Sequence, residues 1–452
     1  MIKPAPENTP EIPTPHSKII VVIFSNVQSP FPRVSGFGYN RGGSPSCVSR
    51  FRIPPGSRDT PMLTPSDFTL SSFCPNRVCP LGAHVDHQHG LITGFAIDRG
   101  ITFHYSPSET FRLESLNFPG TMKFSLSHVP PRRGNWGDYL RGAVRSLSAR
   151  YSLKECVTGV FEGSLPVGGL SSSAALIISF LTALCRVNGL TLSPRELIGV
   201  AFEAETEYVG VQVGILDQSC EVYSRKNRLL FLDTRDETYD LIPKPKKMPP
   251  FEIAVFFSGI ERSLTGSAFN VRVDELKAAA YALKGWSGME YGSFGETRLR
   301  DVPVEVYREY RDRLPANWRK RADHYYSEFD RVQKGVKAWR AGDLKEFGEL
   351  IFESGASSIS QYETGSDELK RIYDLMRETP GIYGGRFSGA GFKGCCMALV
   401  DPAAKEEIAE RITAGYVKTF PHLKENFSVR FCQTADGAMH KNEESASKNG
   451  RQ

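Results

Sequence analysis

Hydrophobic positions along the chain fall into two kinds of pattern. Short apolar or alternating runs at 92–105, 110–118, 121–127, 157–161, 228–233 and 252–257 read as strands. Elsewhere helical spacing takes over. Within 136–150, Tyr139, Leu140, Ala143, Val144 and Leu147 share one face, as in a helix that covers a sheet. A second apolar helical run ends at Asn188-Gly189, a stop signal. A third opens at Ser193-Pro194-Arg195-Glu196: a capping serine, a proline at the first helical position and a glutamate placed to complete a capping box. Extended at about 100° per residue to about Val209, this helix carries Leu197, Ile198, Ala201, Ala204, Tyr208 and Val209 in one stripe. The second half is mainly helical, at 269–284, 318–341, 343–356, 366–378 and 403–416, with strands at 395–400 and 427–432 framing the last helix. The expected class is α+β, with a boundary in the proline- and lysine-rich stretch 243–250.

Composition changes the picture at the ends. Residues 1–72 hold 12 of the 29 prolines, many serines and four acidic residues, with no helical period and one possible strand at 18–24. They read as a disordered leader, an organelle transit peptide or an extended start. The expected organisation is a leader over 1–71, a first domain over 72–250, a second over 251–436 and a polar tail over 437–452. With 452 residues and 40% hydrophobic content, the chain can build two or three ordinary cores. A net charge of +5, from 56 basic and 51 acidic residues without a basic block, does not point to nucleic acid. The apolar run 19–24 is far short of the roughly 20 residues that span a bilayer, so no membrane partner is expected. Nine cysteines show no regular framework and no CxxC, and reduced thiols in the cytoplasm are the simplest account.

Five stretches carry candidate chemistry. Gly163-Ser-Leu-Pro-Val-Gly-Gly-Leu-Ser-Ser-Ser-Ala-Ala-Leu176 joins a strand to a helix. Glycines allow close backbone approach to a phosphate, and the free N–H groups of a helix's first turn face the charge. Ser171, Ser172 and Ser173 add hydroxyl donors and a possible magnesium ligand. It is not a P-loop, because Gly169-Leu170 stand where Lys and Ser/Thr belong, and a plain cap on a core helix is the alternative. Glu205 lies within the apolar stripe of the third helix while Glu203 and Glu207 project from the other side. A carboxylate on a buried face needs a cation or a pairing arginine. Asn76-Arg-Val-Cys-Pro-Leu-Gly-Ala-His-Val-Asp-His-Gln-His-Gly90 gathers Arg77, His84, Asp86, His87 and His89 in a turn, a polar set suited to a sugar or, less naturally, to zinc. Asp217 sits in the apolar run Gly214-Ile-Leu-Asp-Gln218, and Gly384 to Gly394 form a second glycine-rich loop, a hairpin turn or a partner for the first.

Taken together, Arg77-Val-Cys-Pro-Leu-Gly-Ala-His-Val-Asp-His87, Leu165-Pro-Val-Gly-Gly-Leu-Ser-Ser-Ser-Ala-Ala175 and Phe387-Ser-Gly-Ala-Gly-Phe-Lys-Gly394 resemble the motifs of the GHMP small-molecule kinases, galactokinase branch. The resemblance covers residues 72–436. Gly214-Ile-Leu-Asp-Gln-Ser219, Arg321-Ala-Asp-His-Tyr-Tyr-Ser327 and Arg386-Phe-Ser-Gly-Ala-Gly-Phe-Lys-Gly-Cys-Cys396 are most similar to the plant-type galacturonokinases within it. The resemblance implies a two-domain fold, with an N-terminal ribosomal-S5-like nucleotide-binding domain and a C-terminal ferredoxin-like α+β domain. It implies ATP and a sugar as partners, with phosphate passed to the anomeric C1 hydroxyl. Asp217 and Arg77 would be catalytic. Ala83, His84, Asp86 and Gly214, with Asp217, would bind the sugar. Pro166, Gly168, Gly169, Leu170, Ser171, Ser172, Ser173, Ala174, Gly389 and Gly391 would bind ATP, and Ser173 and Glu205 a Mg²⁺ ion. Galactokinases carry Glu where this chain has Ala83. A sugar carboxylate at about 4 Å from that Glu, at an effective dielectric near 20, would meet roughly 4 kcal/mol of repulsion. Alanine removes it, so a sugar acid, D-galacturonate, is the expected acceptor. Galactose, arabinose or glucuronate kinases and a non-catalytic sugar sensor are the alternatives.

Overall fold

The computed structural model describes residues 62–166, 168–260 and 267–438. The expectations for residues 1–61 and 439–452 lie outside them. Strands β1 (Leu70–Val78), β2 (Leu91–Ser108), β3 (Phe111–Ser115), β4 (Met122–Phe124), β5 (Cys156–Gly163), β6 (Arg228–Asp233), β7 (Thr238–Pro243), β8 (Glu252–Phe257), β9 (Ile382–Phe387), β10 (Cys395–Val400), β11 (Ser428–Cys432) and β12 (Thr434–Ala435) make two sheets. The helices are α1 (Gly137–Ser148), α2 (Ser172–Val187), α3 (Pro194–Glu203), α4 (Leu216–Tyr223), α5 (Ser267–Trp286), α6 (Val304–Tyr310), α7 (Ala316–Ala341), α8 (Leu344–Ser360), α9 (Asp367–Glu378) and α10 (Lys405–Thr419).

The first sheet runs β4-β3-β5-β2-β6-β7, with β1 and β12 also paired to the long strand β2. The second is antiparallel throughout, in the order β11-β8-β10-β9, the arrangement of a ferredoxin-like layer. Alternation along its strands sorts the side chains between two cores. Ile253, Val255, Phe257, Cys395, Met397 and Leu399 face a core shared with α7, α8 and Phe95 and Ile97 of β2. Ala254, Phe256, Cys396, Ala398 and Val400 face the other, under α9 and α10. Adjacent Cys395 and Cys396 therefore point to opposite faces of one strand, and both are free thiols. The third core holds α2, apolar almost all round, beneath α1, α3 and α4.

Several expected elements are reshaped. Ordered chain starts before residue 72: the Leu63 amide donates to Glu114, and β1 begins at Leu70. This strand breaks register between Pro75 and Arg77, where the proline has no N–H to give. The capping box at Ser193 and Glu196 is present in both directions. The helix it opens stays α-helical only to Glu203, and Ala204–Val209 widen into a π turn. Asp217 lies in the first turn of α4. Gly384 and Gly385 belong to strand β9, so the second glycine-rich loop spans 388–394 and joins β9 to β10 as a hairpin. A Cβ on Gly384 would sit 2.1 Å from the Gly348 carbonyl oxygen, so β9 and α8 touch backbone to backbone. At the other end Gly437 and Ala438 are held, the first by a hydrogen bond to the Ser224 carbonyl and the second fully buried.

Candidate active site

The segments that carry the expected residues converge on one cavity of about 480 Å³: the end of β1 with the turn after it, the loop into α2, the π turn with the start of α4, and the β9–β10 loop. Arg77, the last but one residue of β1, is 3% exposed and pairs with Asp217, Nη2 lying 2.6 Å and Nε 2.7 Å from Oδ1. Its Nη1 donates to the Gly169 carbonyl at 3.2 Å, which ties the acid to the glycine loop. Burial works against the arginine's charge, but the Asp217 carboxylate outweighs it and the guanidinium pKa rises.

The loop into α2 needs its glycines. Gly168 (φ 133°) and Gly169 (φ 83°) occupy conformations that side chains rarely take. There is no room for one either. A Cβ on Gly169 would lie 2.7 Å from Cys395 Sγ, and one on Gly389 3.0 Å from the Gly169 Cα. The two glycine loops therefore meet backbone to backbone. Ser171 caps α2 in the left-handed region (φ 61°), and its Oγ is buried without a partner among the described residues. An unpaired hydroxyl beside the free amides of a 16-residue helix is the donor arrangement an anion fills.

On the opposite side, Asp86 lies in a short 3₁₀ turn and accepts the Leu216 amide at 3.3 Å. Burial and then the Asp217 charge raise its carboxyl to about 6. Gly214 is required for the same contact, since a Cβ there would sit 2.4 Å from Asp86 Oδ2. His84 (φ 61°) stacks on Tyr362 with ring centroids 4.3 Å apart. Burial, reinforced by Arg386, holds its imidazole well below the usual range, so the ring is neutral. Ala83 lines the cavity, and its carbonyl accepts from His324. Glu205 sits in the π turn, a distortion frequent at functional sites, and is bound by the Gln218 amide.

Of the expected residues, Arg77, Ala83, His84, Asp86, Gly168, Gly169, Ser171, Ser172, Ser173, Glu205, Gly214, Asp217 and Gly389 line this cavity. Pro166, Leu170, Ala174 and Gly391 do not. Leu170 and Ala174 are core side chains, Gly391 packs on Thr364, and Pro166 is exposed. Of the histidines weighed for zinc, His87 bonds Tyr362 and Gln88, and among the described residues no three His, Cys, Asp or Glu side chains are grouped to hold a metal ion. Sequence reasoning missed Phe118, Trp136, Tyr139 and Phe269, which give the cavity its aromatic walls. It also missed Gln218. The signal for Phe118 was a large apolar residue in the Asn-Phe-Pro-Gly turn after β3, where nothing in the fold needs one.

A sequence model of the GHMP kinases N-terminal domain matches residues 138–225, and one of the GHMP kinases C-terminal domain matches 336–418. The chain belongs to the GHMP kinases, phosphotransferases acting on an alcohol group. It is 38% identical over 391 residues to the galacturonokinase of Arabidopsis thaliana, covering 80% of this chain and 92% of that one. It is 33% identical over 347 residues to the galactokinase of Thermotoga maritima, covering 76% and 93%. Among solved structures it is similar to Lactococcus lactis galactokinase complexed with galactose, with a TM-score of 0.74, 27% identity and coverage of 81% and 94%. A mevalonate kinase structure shares the fold at 16% identity and a TM-score of 0.57.

Proposed function

We propose that the protein is an ATP-dependent kinase for the anomeric C1 hydroxyl of D-galacturonate, giving galacturonate 1-phosphate and ADP. The observation that carries the reading is the Arg77–Asp217 pair, set between a glycine–serine helix start and the turn that bears Ala83, His84 and Asp86. The α2 amides and Ser171 to Ser173 would hold the phosphates. Phe118 and Trp136 offer flat apolar walls for the base. Asp86, ionised at neutral pH, and the neutral His84 would hydrogen-bond ring hydroxyls and so position the sugar. Asp217 Oδ2, which takes no hydrogen bond from a described residue, would accept the C1 proton while Arg77 keeps the carboxylate in place. In phosphoryl transfer most of the acceleration comes from such positioning and charge compensation. The choice of a sugar acid rests on Ala83 and on the similarity to the plant galacturonokinase.

Family resemblance brings a Mg²⁺ ion with ATP. The donor set suits it: Ser173 and Glu205 offer one hydroxyl and one carboxylate on the cavity wall, and Mg²⁺ keeps most of its shell for water and phosphate oxygens. Those two residues would hold the ion, which when bound offsets charge on the phosphates. The eight described cysteines are buried free thiols, which fits a cytoplasmic protein. Among the described residues no helix is long and apolar enough to cross a membrane. The test is transfer of the γ-phosphate from labelled ATP to galacturonate, with the product located at C1 by phosphorus NMR. Formation of the 1-phosphate supports the reading. Sugar and ATP binding without transfer would make the protein a sensor instead.

A further inference from the structure

Helix α7 holds part of the turn on the sugar side of the cavity. Gly82 donates its amide to Glu328 Oε1 at 2.7 Å, and the Ala83 carbonyl accepts from His324 Nε2 at 3.0 Å. His324 and Glu328 are one helical turn apart on α7, so a single face of that helix grips the backbone of two consecutive residues. Glu328 is completely buried, as is Arg386 at the end of β9, just before the loop that meets Gly168 and Gly169. Arg386 Nη1 and Glu328 Oε1 are 3.6 Å apart, too far for a direct hydrogen bond. The Ser354 hydroxyl of α8 spans the gap. It accepts from Arg386 Nη1 at 2.6 Å and donates to Glu328 Oε1 at 2.6 Å, which uses its single proton. Arg386 is fixed further by Ser358 at 3.0 Å and by the Phe387 carbonyl at 3.2 Å, and Glu328 by Arg331 at 2.8 Å. Burial alone would raise the Glu328 carboxyl, but Arg331 and Arg386 hold it at about 2, so the chain of contacts stays charged.

We propose that Glu328, Ser354 and Arg386 are positioning residues that couple the sugar turn 82–86 to the nucleotide-side loop 388–394, so that neither loop keeps its catalytic placement when the link is cut. Of the two loops, Glu328 touches only the sugar turn, and Arg386 lies in β9, which leads into the other. A purely local role would confine each residue's effect to its own substrate. The link instead requires crossed effects, because breaking the shared contact releases both loops. The inference rests on the assignment of these loops to sugar and ATP, and wild-type phosphotransfer tests that assignment separately.

The experiment measures KM for the sugar and for ATP, each at saturating partner, in the wild type and in Ser354→Ala, Glu328→Gln and Arg386→Lys. Ser354→Ala removes one hydroxyl and keeps both charges, so it is the variant best able to fold. It should raise both KM values by about threefold or more, the effect of losing a hydrogen bond to a charged group. Glu328→Gln should raise the KM for ATP, and Arg386→Lys the KM for the sugar. KM does not depend on the fraction of active protein, so a loss of folded enzyme alone cannot imitate this pattern. A lowered melting temperature with both KM values unchanged in Ser354→Ala, or effects confined to each residue's own side, would overturn the proposal.

Discussion

Both contacts from Arg77 to Asp217 land on the same carboxylate oxygen, Oδ1, through Nε at 2.7 Å and Nη2 at 2.6 Å. One oxygen is thus spent on the buried arginine, and in the proposed reaction the other would take the substrate hydroxyl's proton. Asp217→Asn keeps an acceptor oxygen for Arg77 but removes the charge. Turnover should fall at least about a hundredfold, as for loss of a positioned acid–base group. ATP affinity, measured by calorimetry, should stay within a few fold. Some loss of melting temperature is expected as well, since Arg77 becomes a buried charge without its counter-charge. Turnover like the wild type would remove Asp217 from the reaction.

Gly169 combines a positive φ with a neighbour that blocks any side chain, Cys395 Sγ. Gly169→Ala should therefore part the two glycine loops. The expected result is a rise in KM for ATP of tenfold or more and a stability loss of about 1–3 kcal/mol, the usual range for local backbone strain. Equilibrium denaturation and initial-rate kinetics measure both. Unchanged kinetics would show that the contact between the loops is incidental.

Glu221, one turn after Asp217 on α4, is fully buried, and burial followed by the Asp217 charge pushes its carboxyl well above the ordinary range. A raised carboxyl contributes stability that is fully present below its unfolded value, near 4.5, and is lost as pH rises toward the folded value. Glu221→Gln replaces the protonated acid by an uncharged group of the same shape. Its stability relative to the wild type should improve as pH rises above about 4.5, by up to about 1.4 kcal/mol per unit. Denaturation at several pH values tests this. A difference independent of pH would mean that Glu221 is ionised in the fold.

Asp86, raised to about 6, should leave its mark on activity. As pH falls through that value the carboxylate gains a proton and can no longer accept from both Leu216 and a sugar hydroxyl. kcat/KM for the sugar should decline below about pH 6. In Asp86→Asn this acid limb should disappear, with lower activity throughout. Persistence of the limb in the variant would assign it to another group.

Strand and helix positions with a clean period were legible in the sequence: β6 and β8 match their apolar runs, and the cap at Ser193 marks the true start of α3. What escaped had a physical reason. β1 carries a proline at a register break and charged or polar residues meant for the cavity, so it does not look like a strand. β9 presses Gly384 against α8 and sets Gly385 against Met376 of α9, and glycine pairs read as turns. The burial of Glu205 was visible from the helical stripe, but the widening of Ala204–Val209 depends on tertiary contacts that no local pattern encodes. The chemistry of the site was clearer than its walls. Arg77, Asp217 and the glycine loop carry unusual residue types at motif spacing, whereas Phe118, Trp136 and Tyr139 are ordinary aromatics gathered only by the fold. The relay from Gly82 to Arg386 joins residues about 300 positions apart and could not be read along the chain.

The proposed preference for a sugar acid rests on Ala83, which lines the cavity. Among the described residues lining the cavity Arg77 is the one lasting cation, and it is already paired with Asp217. An acidic side chain at position 83 would therefore face a bound carboxylate with little to offset it. The most direct measurement is kcat/KM for galacturonate and for galactose, in the wild type and in Ala83→Glu. The wild type should prefer galacturonate, and the variant should lose at least about tenfold on galacturonate relative to galactose, a modest share of the roughly 4 kcal/mol estimated for the repulsion. A wild type that prefers galactose, or a variant whose ratio does not move, would contradict the account.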